Sequence, residues 1–141
     1  MGLIQAIRYH DISCGHRVVG HENKCRHLHG HNYRIHFHIQ AEELNNLGMV
    51  LDFGDIKKYL VEWLETYLDH KMIIWREDPK KDVLLDNFKE DIFLVDFNPT
   101  AENLAKYLVK DIAPMLLPQG TKLVEVKIEE TRKCSAIYQI N

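Results

Sequence analysis

The chain is short of the features that would tie it to a membrane, an oxidising compartment or a nucleic acid. No apolar run approaches the ~20 residues of a membrane-spanning helix. Only three cysteines occur, Cys14, Cys25 and Cys134, an odd number at irregular spacing that argues against a secreted disulfide framework. Basic residues are not in excess: 18 Lys and Arg stand against 21 Asp and Glu, for a formal net charge of -3. No basic stripe or tail offers itself to a phosphate backbone, which argues against a nucleic-acid binder. Repeats and low-complexity segments are absent, and the opening Met1-Gly2-Leu3-Ile4-Gln5-Ala6 lacks the long apolar region of a signal peptide. The expectation is one soluble, cytoplasmic domain over residues 1–141, large enough to bury a core without staples.

What the chain has in quantity is histidine, and eight of its nine histidines fall between His10 and His38. Imidazoles are the commonest zinc ligands, and a catalytic zinc takes three protein donors and keeps a fourth position open. In Cys25-Arg26-His27-Leu28-His29-Gly30-His31 the two outer members of His-Gly-His point the same way if the segment is extended. His29 and His31 can then reach one ion, with Gly30 as a point where the backbone can bend and His16 as the third ligand. A pair of hydrogen-bonded structural imidazoles is the plainer alternative. Residues 32–40 alternate strictly, so Tyr33, Ile35, Phe37 and Ile39 share the face of His29 and His31. Arg34, His36, His38 and Gln40 take the other face, where His36 and His38 read as polar surface paired across strands or at a subunit contact. His10, His21 and His27 receive no role.

Cys25 precedes His29 by four positions and is flanked by Lys24 and Arg26. Two adjacent cations and a nearby metal favour a thiolate, which makes Cys25 a candidate base or nucleophile. A rival arrangement, Cys14, Cys25, His29 and His31 as a closed structural site, has compatible spacing. It would make the chain a non-catalytic, zinc-stabilised interaction module.

The remaining chain reads as strands, helix, helix, strands. A first strand covers Leu3 to Ser13 and ends near His16, and a second ends near Ala41. The polar turn 42–48 then leads to a short return strand at Met49-Val50-Leu51, pairing antiparallel with the second. Asp52 is placed to cap a helix whose apolar stripe is Ile56, Tyr59, Leu60, Trp63, Leu64, Tyr67 and Leu68. Thr100 is placed to cap a second helix with the stripe Ala101, Leu104, Ala105, Leu108, Ile112 and Met115, stopping at Pro118-Gln119-Gly120. Two closing strands cover residues 122–129 and 135–140. Residues 71–97, between the helices, read as an inserted hairpin or helical excursion, with a lid over the site as the sharper alternative. The order implies an α+β fold: an antiparallel four-stranded sheet with both helices on one face.

Six stretches, in order, resemble the superfamily of 6-pyruvoyl-tetrahydropterin and 6-carboxy-tetrahydropterin synthases, over nearly the whole chain. They are Ser13-Cys14-Gly15-His16-Arg17, Cys25 through Asn32, Val50-Leu51-Asp52-Phe53, Leu68-Asp69-His70, Asn98 through Asn103, and Glu130-Thr131. Three residues between Cys25 and His29 resemble the bacterial 6-carboxy branch, which serves 7-deazaguanine and queuosine synthesis. The resemblance implies the tunnelling fold, a homohexamer with sites at subunit interfaces, and 7,8-dihydroneopterin triphosphate as substrate. It implies Zn2+ on His16, His29 and His31, and a catalytic set of Cys25 with an Asp69–His70 dyad from a neighbouring subunit. Glu130 and Thr131 are implied to anchor the pterin. Lys24, Arg26, Arg17, Arg132 and Lys133 are the candidate triphosphate cations.

Overall fold

The alternation over residues 32–40 belongs to the longest strand of the sheet in a computed structural model that describes residues 3–140. Strand β1 (Ala6–His16) pairs antiparallel with β2 (His29–Ala41) from Ala6↔Ile39 to His16↔His29. The far side of β2 pairs with β5 (Thr121–Glu129), and β5 with β6 (Ser135–Gln139). Tyr33, Ile35, Phe37 and Ile39 are at most 1% exposed, so the inward face of β2 is the one its sequence pattern named. Gly30 lies opposite Gly15 in the regular ladder, without a positive φ, and makes no bend. Gly15 has the sharper constraint. A Cβ there would sit 2.6 Å from Met72 Sδ and 3.0 Å from the His29 carbonyl.

Three helices connect the strands: α1 over residues 53–67, α2 (Lys81–Phe88) and α3 over residues 101–116. Asp52 caps α1 by accepting from the Gly54 N–H at 2.7 Å, and Thr100 caps α3 by accepting from Asn103 at 3.1 Å. Each long helix contains a π turn, Lys57–Val61 and Leu108–Ile112. Such a turn inserts one residue into the helical repeat and rotates everything after it. The buried face shifts accordingly. Val61 and Val109 enter the core, while Tyr67 and Met115, both expected inside, are 47% and 69% exposed.

The expected four-stranded antiparallel sheet corresponds to β1, β2, β5 and β6, but it is only part of a mixed six-stranded sheet of order β4 (Ile92–Val95), β3 (Met72–Trp75), β1, β2, β5, β6. Residues 71–97 supply β3 and β4. Strand β3 runs parallel to β1, and β4 parallel to β3. Parallel neighbours cannot be joined by a tight turn, and α2 makes the crossover between β3 and β4. The segment is thus a sheet extension and neither a hairpin nor a lid. Met49-Val50-Leu51 forms no strand and leads directly into α1. Helices α1 and α3 bury Ile56, Leu60 and Leu64, and Leu104, Leu108 and Ile112, in one core with Leu68 just past α1 and the inward residues of the sheet. Among the described residues no helix is long and apolar enough to cross a membrane.

Candidate active site

His16 closes β1, and His29 and His31 open β2. The register puts His16 opposite His29 and Cys14 opposite His31. The three rings therefore meet at one end of this strand pair, with centroids 4.5 Å apart for His16–His29, 5.1 Å for His16–His31 and 4.8 Å for His29–His31. Tyr33, next on the same face, packs edge-on against His16 and His31. Glu130, the residue after β5, brings Oε1 to 2.8 Å from His31 Nε2 and 3.7 Å from His16 Nε2. One donor atom from each of these four residues lies within 4.8 Å of all the others.

The ring nitrogens are set for coordination. His16 Nδ1 donates to the Pro99 carbonyl at 2.5 Å and His29 Nδ1 to the His27 carbonyl at 2.7 Å, so each ring keeps a bare Nε2. His16 Nε2 and His31 Nε2 are buried without a hydrogen-bond partner, the close Glu130 oxygen being out of line for one. Burial holds the His31 imidazole below the usual histidine range, against the pull of Glu130. The His16 imidazole, with His31 and His29 adding, holds the Glu130 carboxyl below the usual carboxylate range despite burial. Buried ring nitrogens without a partner are costly, and a cation that they coordinate removes the cost. The three imidazoles in this geometry fit a divalent metal ion of the zinc type, with the Glu130 carboxylate close beside them.

Neither candidate cysteine joins this group. Cys25 sits half-buried in a single helical turn, Lys24–Arg26. Cys14 is buried, and burial, reinforced by the charge of Asp69, pushes its thiol up to about 12. The closed site of Cys14, Cys25, His29 and His31 does not assemble among the described residues, where the one such cluster is His16, His29, His31 and Glu130.

Asp69 and His70 follow α1 and are clamped to β1. The Ser13 N–H donates to Asp69 Oδ1 at 2.9 Å, and the His70 N–H donates to the Ser13 carbonyl at 2.6 Å. Asp69 Oδ2 stands 3.0 Å from His70 Nδ1. His70 adopts φ 61, in the left-handed region that a non-glycine residue keeps only when its surroundings enforce it. Burial works to raise the Asp69 carboxyl, but the Ser13 N–H and His70 together hold it below the usual carboxylate range. A depressed folded-state pKa means that the stabilisation is present above the ordinary carboxylate range and is lost as pH falls through the folded value. Melting temperatures of the wild type and Asp69→Asn are expected to converge on acidification. A gap that stays constant across that range would refute the coupling.

A cavity of about 740 Å³ joins these groups, lined by His31, Asp69, His70, Glu130, Thr131 and Arg132 among others. Thr131 Oγ1 accepts from the Lys133 and Cys134 N–H groups, which shapes the turn that carries Glu130. Of the five candidate cations, Arg132 lines the cavity, while Arg17 is buried against Asp78. His36 and His38, on the opposite face of β2, lie near Glu129 at 2.7 Å and Glu125 at 3.4 Å on β5, as expected of a polar strand face. Sequence reasoning named Glu130 for the pterin without placing it beside the imidazoles, and missed the Pro99 and His27 carbonyls that orient the rings.

Fold and site together define an α+β protein in which three imidazoles and a carboxylate, close enough to hold a metal ion, stand beside a cavity of small-molecule size. The model of the family described as 6-pyruvoyl tetrahydropterin synthase matches residues 6–141, and the chain belongs to that family. The 6-carboxy-5,6,7,8-tetrahydropterin synthase of Rickettsia typhi is 37% identical over 134 residues, covering 94% of this chain and 97% of the relative. A solved structure of an uncharacterized protein from Wolinella succinogenes superposes with a TM-score of 0.87 at 26% identity, covering 100% of both chains. The 6-pyruvoyl tetrahydropterin synthase of Caenorhabditis elegans shares the fold, with a TM-score of 0.70 at 24% identity over 100% of this chain and 98% of its own.

Proposed function

We propose that this chain is a zinc-dependent lyase that converts 7,8-dihydroneopterin triphosphate to 6-carboxy-5,6,7,8-tetrahydropterin, releasing acetaldehyde and triphosphate. The observation that carries this reading is the meeting of the His16, His29 and His31 side chains beside a cavity that also holds Asp69 and His70. Relatives named for this product, such as the Rickettsia typhi protein, support it. Zinc, when bound, would supply a Lewis acid that acidifies the C–H and O–H bonds of the substrate side chain.

The remaining chemistry falls to the chain's own groups. Glu130, as a carboxylate, accepts two hydrogen bonds from the guanidine-like edge of the pterin, a planar match that strengthens away from water. Thr131 holds the turn that aims it. Cys25, as thiolate, takes a proton from the side chain, and His70, oriented by Asp69, relays another. In this reading the thiol and the dyad come from different subunits of a homohexamer. Two observations favour that division: Cys25 does not line the cavity of the dyad, and the His70 side chain is 81% exposed in the single chain. The product would enter 7-deazaguanine and queuosine synthesis in the cytoplasm.

Incubation with 7,8-dihydroneopterin triphosphate, read by mass spectrometry, is expected to yield 6-carboxytetrahydropterin together with acetaldehyde. A 6-pyruvoyl product without acetaldehyde would favour the second reading, the activity after which the family is named. No turnover by the metal-loaded protein would sink both.

A further inference from the structure

Arg17 and Asp78 form a buried ion pair that the proposed chemistry does not use. They are 8% and 4% exposed, with Arg17 Nε donating to Asp78 Oδ2 at 2.6 Å. Asp78 lies in the turn between β3 and α2, where its N–H donates to the Trp75 carbonyl at 2.9 Å and its Oδ1 accepts from the Lys80 N–H at 2.8 Å. Arg17 has a second acceptor. Its Nη1 donates to the Arg26 carbonyl at 2.6 Å, while the next residue, Val18, donates its N–H to the Cys25 carbonyl at 2.7 Å. The carbonyls of Cys25 and Arg26 are thus held from residues 18 and 17 respectively. The loop is fixed again at Val19, which exchanges two hydrogen bonds of 2.9 Å with the Asn98 side chain.

Burying a charged pair gains little stability over an apolar pair of the same volume, so stability alone is a weak reason for one here. A guanidinium can grip two acceptors at a set angle, which an ammonium cannot do. We propose that Asp78 and Arg17 are positioning residues for the Cys25 thiol, forming a strut from the β3–α2 turn to the Lys24–Arg26 turn. The sheet extension formed by residues 71–97 then has a task at the site although it supplies no reacting group from β3 or α2. This inference rests on Cys25 as the proton acceptor.

The test uses the full-length, metal-loaded protein. Arg17→Lys keeps a cation against Asp78 and removes the bond to the Arg26 carbonyl. Misplacing a reacting group by about 1 Å costs roughly a hundredfold, so kcat is expected to fall on that order with KM little changed. Metal content should be retained, which separates the effect from disturbance of His16 next door. Site-resolved alkylation by iodoacetamide should show a changed rate and pH midpoint at Cys25 and none at Cys134. Asp78→Asn, which retains an acceptor for Arg17 without the charge, should move the same readouts in the same direction. Wild-type kcat and Cys25 alkylation in Arg17→Lys would overturn the proposal, as would loss of folding in both variants. Cys25→Ala is measured in parallel. If it abolishes turnover while Arg17→Lys behaves as wild type, the strut alone fails; if it retains turnover, the role of Cys25 fails first.

Discussion

Cys25→Ala is expected to lower turnover by about two to four orders of magnitude, the usual contribution of a well-placed general base, while leaving the metal bound. The two halves of this result have separate origins. Cys25 gives no atom to the cluster of His16, His29, His31 and Glu130, so its sulfur can be removed without opening the donor set. Its turn is held through the backbone carbonyls of residues 25 and 26, so the substitution leaves those bonds intact. Turnover and metal content, the latter by elemental analysis, decide the matter together. If the metal leaves with the sulfur, Cys25 is a ligand and the proton-transfer role has to be abandoned.

His29→Ala is expected to remove metal and activity in one step. It is the cleanest of the three imidazoles to delete, because it is only half-buried and its Nδ1 bonds a neighbouring carbonyl, that of His27. His16 is 1% exposed and donates to Pro99, so its loss would disturb the junction with α3 as well. Loss of a direct ligand should exceed the roughly 10–100-fold drop in metal affinity typical of changes behind the ligands. Competition with a chromogenic chelator measures this directly. Wild-type affinity in His29→Ala would mean that His29 is not a metal ligand.

Much of the site was legible because its logic is local. The period of two in residues 29–40 placed His29 and His31 with the buried Tyr33 and Ile35, and the outward histidines with polar neighbours. The caps at Asp52 and Thr100 were legible for the same reason. What escaped depends on partners remote in sequence. Met72–Trp75 is an uninterrupted apolar run, and such a run has no period from which to infer a strand or its direction. Its parallel alignment is set by Gly15↔Met72 and His16↔Ile73 across more than fifty residues of chain. The π turns are invisible to a 3.6-residue stripe, which is why Tyr67 and Met115 were assigned to the wrong face. Glu130 reaches the imidazoles only because the β2–β5 ladder ends at Arg34↔Glu129, a register that no short motif encodes.

The β1–β2 ladder has a consequence for how this architecture can diverge. The imidazoles stand on paired strand ends, whereas the thiol rides on the excursion that joins those ends, residues 17–28. Lengthening or shortening that tether would leave His16 opposite His29, yet would carry the sulfur to a new place. Position of the sulfur and position of the imidazoles are thereby separable, one set by the length of a connection and the other by the register of a strand pair.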